Sequence, residues 1–203
     1  MARDRSPIVK QSRREGVALH PKAHKAMVKR STPPGQHGRA RQQKPSQFAI
    51  QLREKQKVKR TYGVLEKPFR RLMAEAGKTT GQSGATLLSL LERRLDNVIY
   101  RAGFATSRRG ARQLATHGHF TVNGQAVDIP SFRVKAGDEI VVKAKSASNE
   151  YFKTLTEIAK GAESVAWLSA DAKKGVIKVT GLPARADIEA EVNEQLIVEY
   201  YSR

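Results

Sequence analysis

The chain of 203 residues is long enough for one or two domains, and its hydrophobic (39%) and charged (28%) fractions are close to those of globular proteins. It contains no cysteine, which excludes disulfides, thiolate zinc sites and cysteine nucleophiles, and no apolar run approaches the roughly 18–20 residues that a membrane span requires. The net charge of +19 predicts a polyanionic partner and says nothing about the fold.

The positive charge is concentrated in the first part of the chain. Residues 1–60 hold 17 Lys and Arg against three acids, whereas residues 145–203 hold eight basic and nine acidic residues. Residues 1–45 have few large apolar side chains and no helical period, and they contain five of the prolines. Because such a segment cannot bury enough surface to offset its ordering entropy, we predict an extended basic arm over residues 1–45, ordered mainly by its partner.

A helix is predicted to follow the arm, with Ser46 as its N-cap and Gly63 at its end. Phe48, Leu52 and Tyr62 are expected to face a core. The basic residues of this helix are expected outside: Arg53, Lys55, Lys57, Lys59 and Arg60.

Two further helices are predicted downstream. The first covers residues 66–77, with Pro68 in its first turn and Phe69, Leu72 and Ala76 on one face. The second is predicted as one continuous helix over residues 85–103, because apolar residues recur at spacings of three and four. These residues are Leu88, Leu91, Leu95, Val98, Ile99 and Ala102.

Residues 107–124 combine a short helix with a tight hairpin. Ser107 is a candidate N-cap and Gly118 a candidate stop for the helix, whose inward residues are Ala111, Leu114 and Ala115. The pair Asn123-Gly124 is a strong signal for a two-residue hairpin.

The remaining patterns are shorter. A strand is predicted over residues 139–143, and weaker patterns predict a helix over 149–160 and strands over 165–169 and 176–180. Asn193 can cap a short final helix.

Three arginines lie in the first two turns of the helix at 107–117. Arg108 and Arg112 point the same way, and Arg109 lies about 100° around the helix. No acid lies within four residues of them, so a bound phosphate would relieve their mutual repulsion. The alternative is an ordinary solvated helix face.

Arginines of the preceding helix are weaker candidates for phosphate binding. Glu92 and Asp96 lie close enough in sequence to pair with Arg93, Arg94 or Arg101.

The segment PPGQHGRARQQKPSQ, residues 33–47, is rich in Gly and Pro, which fix an irregular path and allow close approach of the backbone. Arg39, Arg41 and Lys44 lie on this path and are suited to reach between phosphates. A flexible tail with solvated charges is the alternative.

Two motifs resemble functional sites but lack the sequence context that those sites require. AGKTTG at 76–81 ends like a phosphate-binding loop but has Leu72 where the earlier glycine is required. Arg94-Leu95-Asp96 matches the tripeptide around the catalytic aspartate of pseudouridine synthases. It is predicted within a continuous helix, where Asp96 pairs with Arg93 or Arg101 or faces solvent.

No metal or catalytic site assembles from the sequence. His20 and His24 have i, i+4 spacing, but no cysteine and few acids are near them to complete a metal site. No candidate nucleophile has a visible base with an orienting partner. We therefore expect no enzyme activity, no cofactor and no metal. Because the arginines lie among turns and short helices, we also expect no membrane partner.

Residues 90–142 resemble the RNA-binding domain named after small-subunit ribosomal protein S4, which also occurs in pseudouridine synthases, a tyrosyl-tRNA synthetase and a heat-shock protein. Residues 12–16, 33–72 and 193–203 resemble bacterial members of the S4 family itself, in the same order, so the resemblance covers nearly the whole chain. Many members bind zinc or an iron–sulfur cluster through cysteines of the N-terminal arm. This chain resembles the cysteine-free form, whose arm depends on RNA for its order.

The resemblance implies a structural constituent of the cytoplasmic small ribosomal subunit, without homo-oligomers. Such a protein binds the 5′ domain of the ribosomal RNA, nucleates assembly of the subunit body and contributes to translational accuracy. Its other implied partners are small-subunit ribosomal protein S5 and messenger RNA at the entrance, the latter assigned to Arg41 and Lys44. An RNA-modifying or ribosome-rescue factor with the same domain is the alternative.

The predicted RNA-binding set joins these basic candidates with others in the matching segments. It consists of Arg13, Arg14, His37, Arg39, Arg41, Lys44, Arg53, Lys55, Lys57, Lys59, Arg60, Arg70, Arg71, Arg93, Arg94, Arg101, Arg108, Arg109, Arg112, His117 and His119.

The predicted fold class is α+β. A mostly helical lobe over residues 46–85 is completed by residues 186–203, and an RNA-binding lobe over residues 86–185 is inserted between them. The core of the inserted lobe, residues 92–144, is predicted as two helices packed on a small antiparallel sheet. Residues 1–45 form the arm.

Overall fold

The computed structural model describes residues 4–39, 44–79, 81–161, 165–188 and 192–202. The chain divides into two units. The terminal unit comprises Met1–Leu87 and Ala190–Arg203, and the central unit comprises Leu88–Glu189. Within the described ranges, no helix combines the length and apolar character needed to cross a membrane.

The helices are α1 (Ile8–Glu15), α2 (Pro21–Lys29), α3 (Gln47–Thr61), α4 (Glu66–Ala76), α5 (Ser83–Glu92), α6 (Leu95–Arg101), α7 (Arg108–Thr116), α8 (Ala144–Ala147), α9 (Glu150–Lys153), α10 (Leu155–Ala159) and α11 (Glu194–Tyr201). The strands are β1 (Phe120–Val122), β2 (Gln125–Val127), β3 (Glu139–Val142), β4 (Leu168–Asp171) and β5 (Val176–Val179). A 3₁₀ turn covers Arg185–Asp187. The predicted α+β class is confirmed.

Helix α3 begins and ends where the sequence predicts. The Ser46 hydroxyl accepts from the Ala49 amide at 3.3 Å, and Gly63 follows the helix with a φ of +62°. Tyr62 is buried as expected, but Phe48 is 48% exposed, so its predicted place in the core is wrong. The Phe48 ring instead packs beside Tyr200 of α11, with 5.6 Å between centroids.

The terminal helix packs on α3 through both polar and aromatic contacts. The Gln51 amide donates to Glu199 at 2.8 Å, and the Asn193 backbone amide donates to Glu54 at 2.9 Å. The Asn193 side chain caps α11 by accepting from the Gln195 amide at 3.1 Å. This cap was predicted from the sequence and is confirmed.

Residues 8–29 do not form the extended arm that the sequence predicts, because α1 and α2 fold there and pack on each other. Gln11, Ser12 and Ala23 are the buried residues of these two helices, where small and polar side chains replace the large apolar residues expected of a core. Helix α1 is also tied to α3, since Arg53 and Arg60 both donate to Glu15. These stabilising partners lie too far along the chain for a local pattern to reveal them.

The predicted continuous helix over residues 85–103 is wrong. It breaks at Arg93 and Arg94, which separate α5 from α6. The amides of Leu95 and Asp96 donate to the carbonyls of Phe132 and Pro130, at 2.8 and 3.1 Å. Residues 93–96 are therefore bound to the segment 130–134 instead of continuing the helical ladder.

The central unit contains a five-stranded antiparallel sheet with the strand order β2-β1-β3-β5-β4. The predicted Asn123-Gly124 hairpin joins β1 to β2, and both residues have positive φ values, 49° and 80°. Helices α6 and α7 pack on each other, and their apolar residues share one core with the sheet. The helix predicted over 149–160 is divided into α9 and α10 at Thr154.

Candidate nucleic-acid interface

The face of α7 that carries the arginines is positioned as the sequence predicts. The Ser107 hydroxyl accepts from the Gly110 amide at 3.2 Å, and Ala111 and Ala115 are buried. Arg109 is exposed, whereas Arg108 and Arg112 are half-buried. Arg108 and Arg112 therefore lie at the edge of the buried face of α7, and Arg109 projects from the exposed side.

Side chains of α6 anchor the two half-buried arginines. Nε of Arg108 donates to Oδ1 of Asn97 at 2.9 Å, and its guanidinium lies over the Tyr100 ring, 4.6 Å from the centroid. Nη1 of Arg112 donates to Oδ2 of Asp96 at 3.4 Å. The expectation that no acid pairs with this cluster is thus wrong, because folding brings an acid from 16 residues earlier.

A second carboxylate, that of Glu92, lies in the interior behind Asn97. Glu92 is completely buried and accepts two bonds from Arg101, at 3.0 and 3.1 Å, and one from the Asn97 amide at 2.7 Å. An acid with this many donors balances buried positive charge inside the unit. Arg101 is consequently committed to the interior network, with only the edge of its side chain at the surface.

Arg94 pairs with Asp96 in the interior. Its guanidinium donates to both carboxylate oxygens, at 3.0 and 2.7 Å, and the residue is only 6% exposed. The prediction that Asp96 pairs with Arg93 or Arg101 or faces solvent is wrong. Arg93 instead donates to the carbonyl of Val134 at 2.9 Å, across the break between α5 and α6.

The two predicted histidines lie at the end of α7. His117 is exposed, while Nδ1 of His119 is 2.9 Å from the Ser146 hydroxyl and its ring stands edge-on to Phe152. Burial lowers the pKa of His119 below its usual value, and the nearby His117 and Lys143 act in the same direction. His119 therefore favours its neutral form where no anion is present.

The five basic residues of α3 are paired with carboxylates of the terminal unit. Arg53 and Arg60 bind Glu15, and Lys57 binds Glu54. Lys55 and Lys59 both bind Glu66, each at 2.9 Å. Lys55 is only 4% exposed, so its predicted outside position is wrong. Its ammonium lies 4.5 Å from the centroid of the Tyr200 ring, which covers it.

Two carboxylates of this unit have shifted pKa values with opposite signs. Burial alone would raise the pKa of Glu66, but the hydrogen bonds from Lys55, Lys59 and Tyr201 outweigh it and lower the pKa to about 2. Burial raises the pKa of Glu15, although Arg53 and Arg60 oppose the shift. Glu66 therefore stays ionised and holds α3, α4 and α11 together.

The predicted residues of the arm differ in their surroundings. Arg13 donates to the carbonyls of Thr32 and Pro33, at 2.9 and 3.3 Å, and fixes the segment after α2 against α1. The other described members of the set in the arm and on α4 are exposed: Arg14, His37, Arg39, Lys44, Arg70 and Arg71. Arg41 lies outside the described residues.

The Gly-rich turn after Pro33 and Pro34 depends on close backbone contact. The Gly38 amide donates to the Gly35 carbonyl at 3.2 Å, and a Cβ atom at Gly38 would collide with the carbonyl oxygen of Pro33. The turn can therefore present His37 and Arg39 only with glycine at position 38.

Sequence reasoning missed the basic residues of α2. The exposed ones are Lys22, Lys25, Lys29 and, directly after the helix, Arg30. The lysines recur at spacings of three and four, so they share one side of the helix while Ala23 is buried on another. A search for helical period in the charges, besides the apolar residues, would have found this face.

No group of three or more His, Asp and Glu residues that could hold a metal ion occurs among the described residues. The His20 ring, considered above as half of a pair with His24, instead caps α2 by accepting from the Lys22 amide at 3.0 Å.

Two family models match the chain in succession. One, described as "Ribosomal protein S4/S9 N-terminal domain", covers residues 3–92, and the other, described as "S4 domain", covers residues 93–140. The second match spans α6, α7, β1 and β2, which include the anchored arginines.

Curated proteins match over the full length. The chain is 50% identical over 209 residues to small ribosomal subunit protein uS4 of Thermus thermophilus, with 100% of both chains covered. It is 52% identical over 209 residues to uS4 of Clostridioides difficile and 51% identical over 211 residues to uS4 of Herpetosiphon aurantiacus, again with 100% of both chains covered.

Proposed function

Because the chain belongs to the uS4 family of ribosomal proteins, we propose that it is a structural protein of the small ribosomal subunit and binds ribosomal RNA directly. The protein then functions in the cytoplasmic ribosome. The names of these relatives are those of ribosomal proteins and not of enzymes, and we propose no catalytic activity.

The observation that carries the proposal is the face of α7. Three guanidiniums lie on one short helix within the part of the chain that matches the S4 domain, and two of them are held from below by α6. Fixed guanidiniums suit the phosphates of folded RNA, which present charge at set positions and are recognised largely by shape.

The exposed members of the predicted set in the terminal unit are further candidates for RNA contact. We propose RNA contacts for Arg14, His37, Arg39, Arg70 and Arg71, and we add the exposed lysines of α2. Lys55 and Arg94 are left out because each is buried against a carboxylate. The α3 residues that pair with Glu15, Glu54 and Glu66 contribute first to the fold and only secondarily to the charge of the surface.

The finer assignment follows the family resemblance. We propose that the target is the 5′ domain of the small-subunit RNA, that binding nucleates assembly of the subunit body, and that contact with ribosomal protein S5 influences accuracy. Lys44 is exposed and follows the turn at Gly38, which supports its proposed place at the messenger RNA entrance together with Arg41.

An RNA-modifying or ribosome-rescue factor is the competing function, and sedimentation distinguishes the two. We expect the epitope-tagged protein, expressed at its natural level, to comigrate with small subunits in a sucrose gradient at one copy per subunit. A structural protein stays bound through repeated centrifugation, since its contacts bury many charges against RNA. Substoichiometric or transient association would favour the factor.

A further inference from the structure

We propose that Asn97 is a positioning residue of the RNA interface: held by Glu92, it fixes the guanidinium of Arg108 in the place where RNA is bound. This inference rests on the proposed RNA-binding function and adds a specific role for two residues that do not themselves touch RNA.

The bonds of Asn97 determine which way its amide points. Its nitrogen donates to the Glu92 carboxylate at 2.7 Å and to the Glu92 carbonyl at 3.1 Å. With the nitrogen held by two acceptors, the Asn97 oxygen must face the other way, where it accepts from Nε of Arg108 at 2.9 Å. Glu92 thus sets the amide orientation, and the amide sets the position of the arginine.

Burial makes this arrangement rigid. Asn97 is 2% exposed and Glu92 is completely buried, so water does not compete for either side chain. Glu92 is itself fixed by the two bonds from Arg101. The chain of contacts therefore runs from the end of α5, through α6, to the first turn of α7.

Tyr100 completes the support for Arg108. It lies three residues after Asn97, hence on the same side of α6, and its ring centroid is 4.6 Å from the guanidinium carbon. An arginine free in solvent loses rotamer entropy when it binds a phosphate. An arginine already held on two sides has lost most of that entropy on folding and binds more tightly.

The simpler view is that Asn97 and Glu92 only stabilise the break between α5 and α6. The two views differ in what depends on Arg108. If Asn97 acts on RNA binding through Arg108, removing Asn97 has no further effect once Arg108 is gone. If it acts through the fold, its removal has the same effect in both backgrounds.

A double-mutant cycle of Asn97→Ala and Arg108→Ala tests this in the full chain, with the 5′ domain of small-subunit RNA as the probe. Binding is measured at a temperature where circular dichroism shows every variant folded. We expect Asn97→Ala to weaken binding about three- to tenfold in the wild-type background, the cost of immobilising one long side chain. In the Arg108→Ala background we expect less than about a 1.5-fold change.

Each outcome of the cycle has one meaning. Equal losses in both backgrounds, or no loss in the wild-type background, would overturn the inference and leave the proposed function intact. Wild-type affinity in Arg108→Ala itself would remove Arg108 from the proposed RNA interface, and the inference would fall with it. If Asn97→Ala does not fold, Asn97→Ser is used, because its hydroxyl is too short to reach Arg108.

The sign of the effect at Glu92 gives a second test. Glu92→Gln removes one negative charge, so an effect of the overall field would strengthen RNA binding. Loss of positioning weakens it instead, because glutamine replaces one accepting oxygen by an NH2 group and cannot keep all three bonds that Arg101 and Asn97 donate to the carboxylate. The matched control is Glu157→Gln, which makes the same charge change at an exposed position of the central unit. Weaker binding only in Glu92→Gln supports the inference, and a shift in the same direction in both variants contradicts it.

Discussion

Replacing Arg108, Arg109 and Arg112 together by alanine is expected to weaken binding to small-subunit ribosomal RNA about a hundredfold. Even at about 1 kcal/mol for each of three charge-assisted contacts, the sum corresponds to this loss. The slope of log affinity against log salt should fall by about two to three, since each neutralised phosphate contributes roughly 0.7–0.9. Filter-binding titrations at several salt concentrations measure both quantities.

The triple variant should remain folded. Ala111 and Ala115 still bury the inner side of α7, Ser107 still caps it, and Arg94 still pairs with Asp96. The matched control replaces three exposed lysines of the same unit, Lys153, Lys173 and Lys174, by alanine, with the same change in net charge. Equal losses of affinity in the two triple variants would show that only total charge matters and that α7 is not a specific contact.

The single substitution Asp96→Ala is expected to lower the free energy of unfolding by about 3–5 kcal/mol, because it leaves the buried Arg94 without its counterion. Urea denaturation followed by circular dichroism measures the change. Asp96 also accepts from Arg112, which adds to the loss.

The control for Asp96 is an exposed ion pair of the same sheet-containing unit. Glu139 lies 3.5 Å from Lys178, and both side chains are largely solvated, so Glu139→Ala should cost about 0–1 kcal/mol. Replacing both buried partners, as in Arg94→Met with Asp96→Leu, should recover much of the stability lost in Asp96→Ala. A cost for Asp96→Ala no larger than that of Glu139→Ala would contradict the interior assignment.

Features fixed by neighbouring residues could be predicted from the sequence. Ser46, Ser107 and Asn193 cap the helices that they were expected to cap, and Asn123-Gly124 forms the expected hairpin. In each case the stabilising bond is made within a few residues along the chain, so the local pattern contains the information.

Features fixed by distant residues could not be predicted. The break at Arg94 depends on carbonyls of residues 130 and 132, and α1 is held to α3 by the bonds from Arg53 and Arg60 to Glu15. Apolar periodicity continues across the break and is weak in the arm. A pattern search therefore joined two helices in one place and found none in the other.

For the interface too, local features could be predicted from the sequence and those fixed by distant residues could not. Helical spacing places Arg108 and Arg112 on one side of α7 and Arg109 about 100° around it, and this needs no knowledge of the rest of the fold. The roles of Asp96, Asn97 and Glu92 in holding them depend on the packing of α6 against α7. For the same reason, basic residues predicted to be alike proved different: Arg94 and Lys55 are buried ion-pair partners, whereas Arg109 is exposed.

We propose that the arginines of α7, two of them held by α6, recognise folded small-subunit RNA and not merely negative charge. Competition binding tests it most directly, with the 5′ domain of that RNA against an unrelated RNA of equal length at physiological salt. Specific recognition predicts at least a tenfold preference for the 5′ domain. Equal affinity for the two RNAs would contradict it.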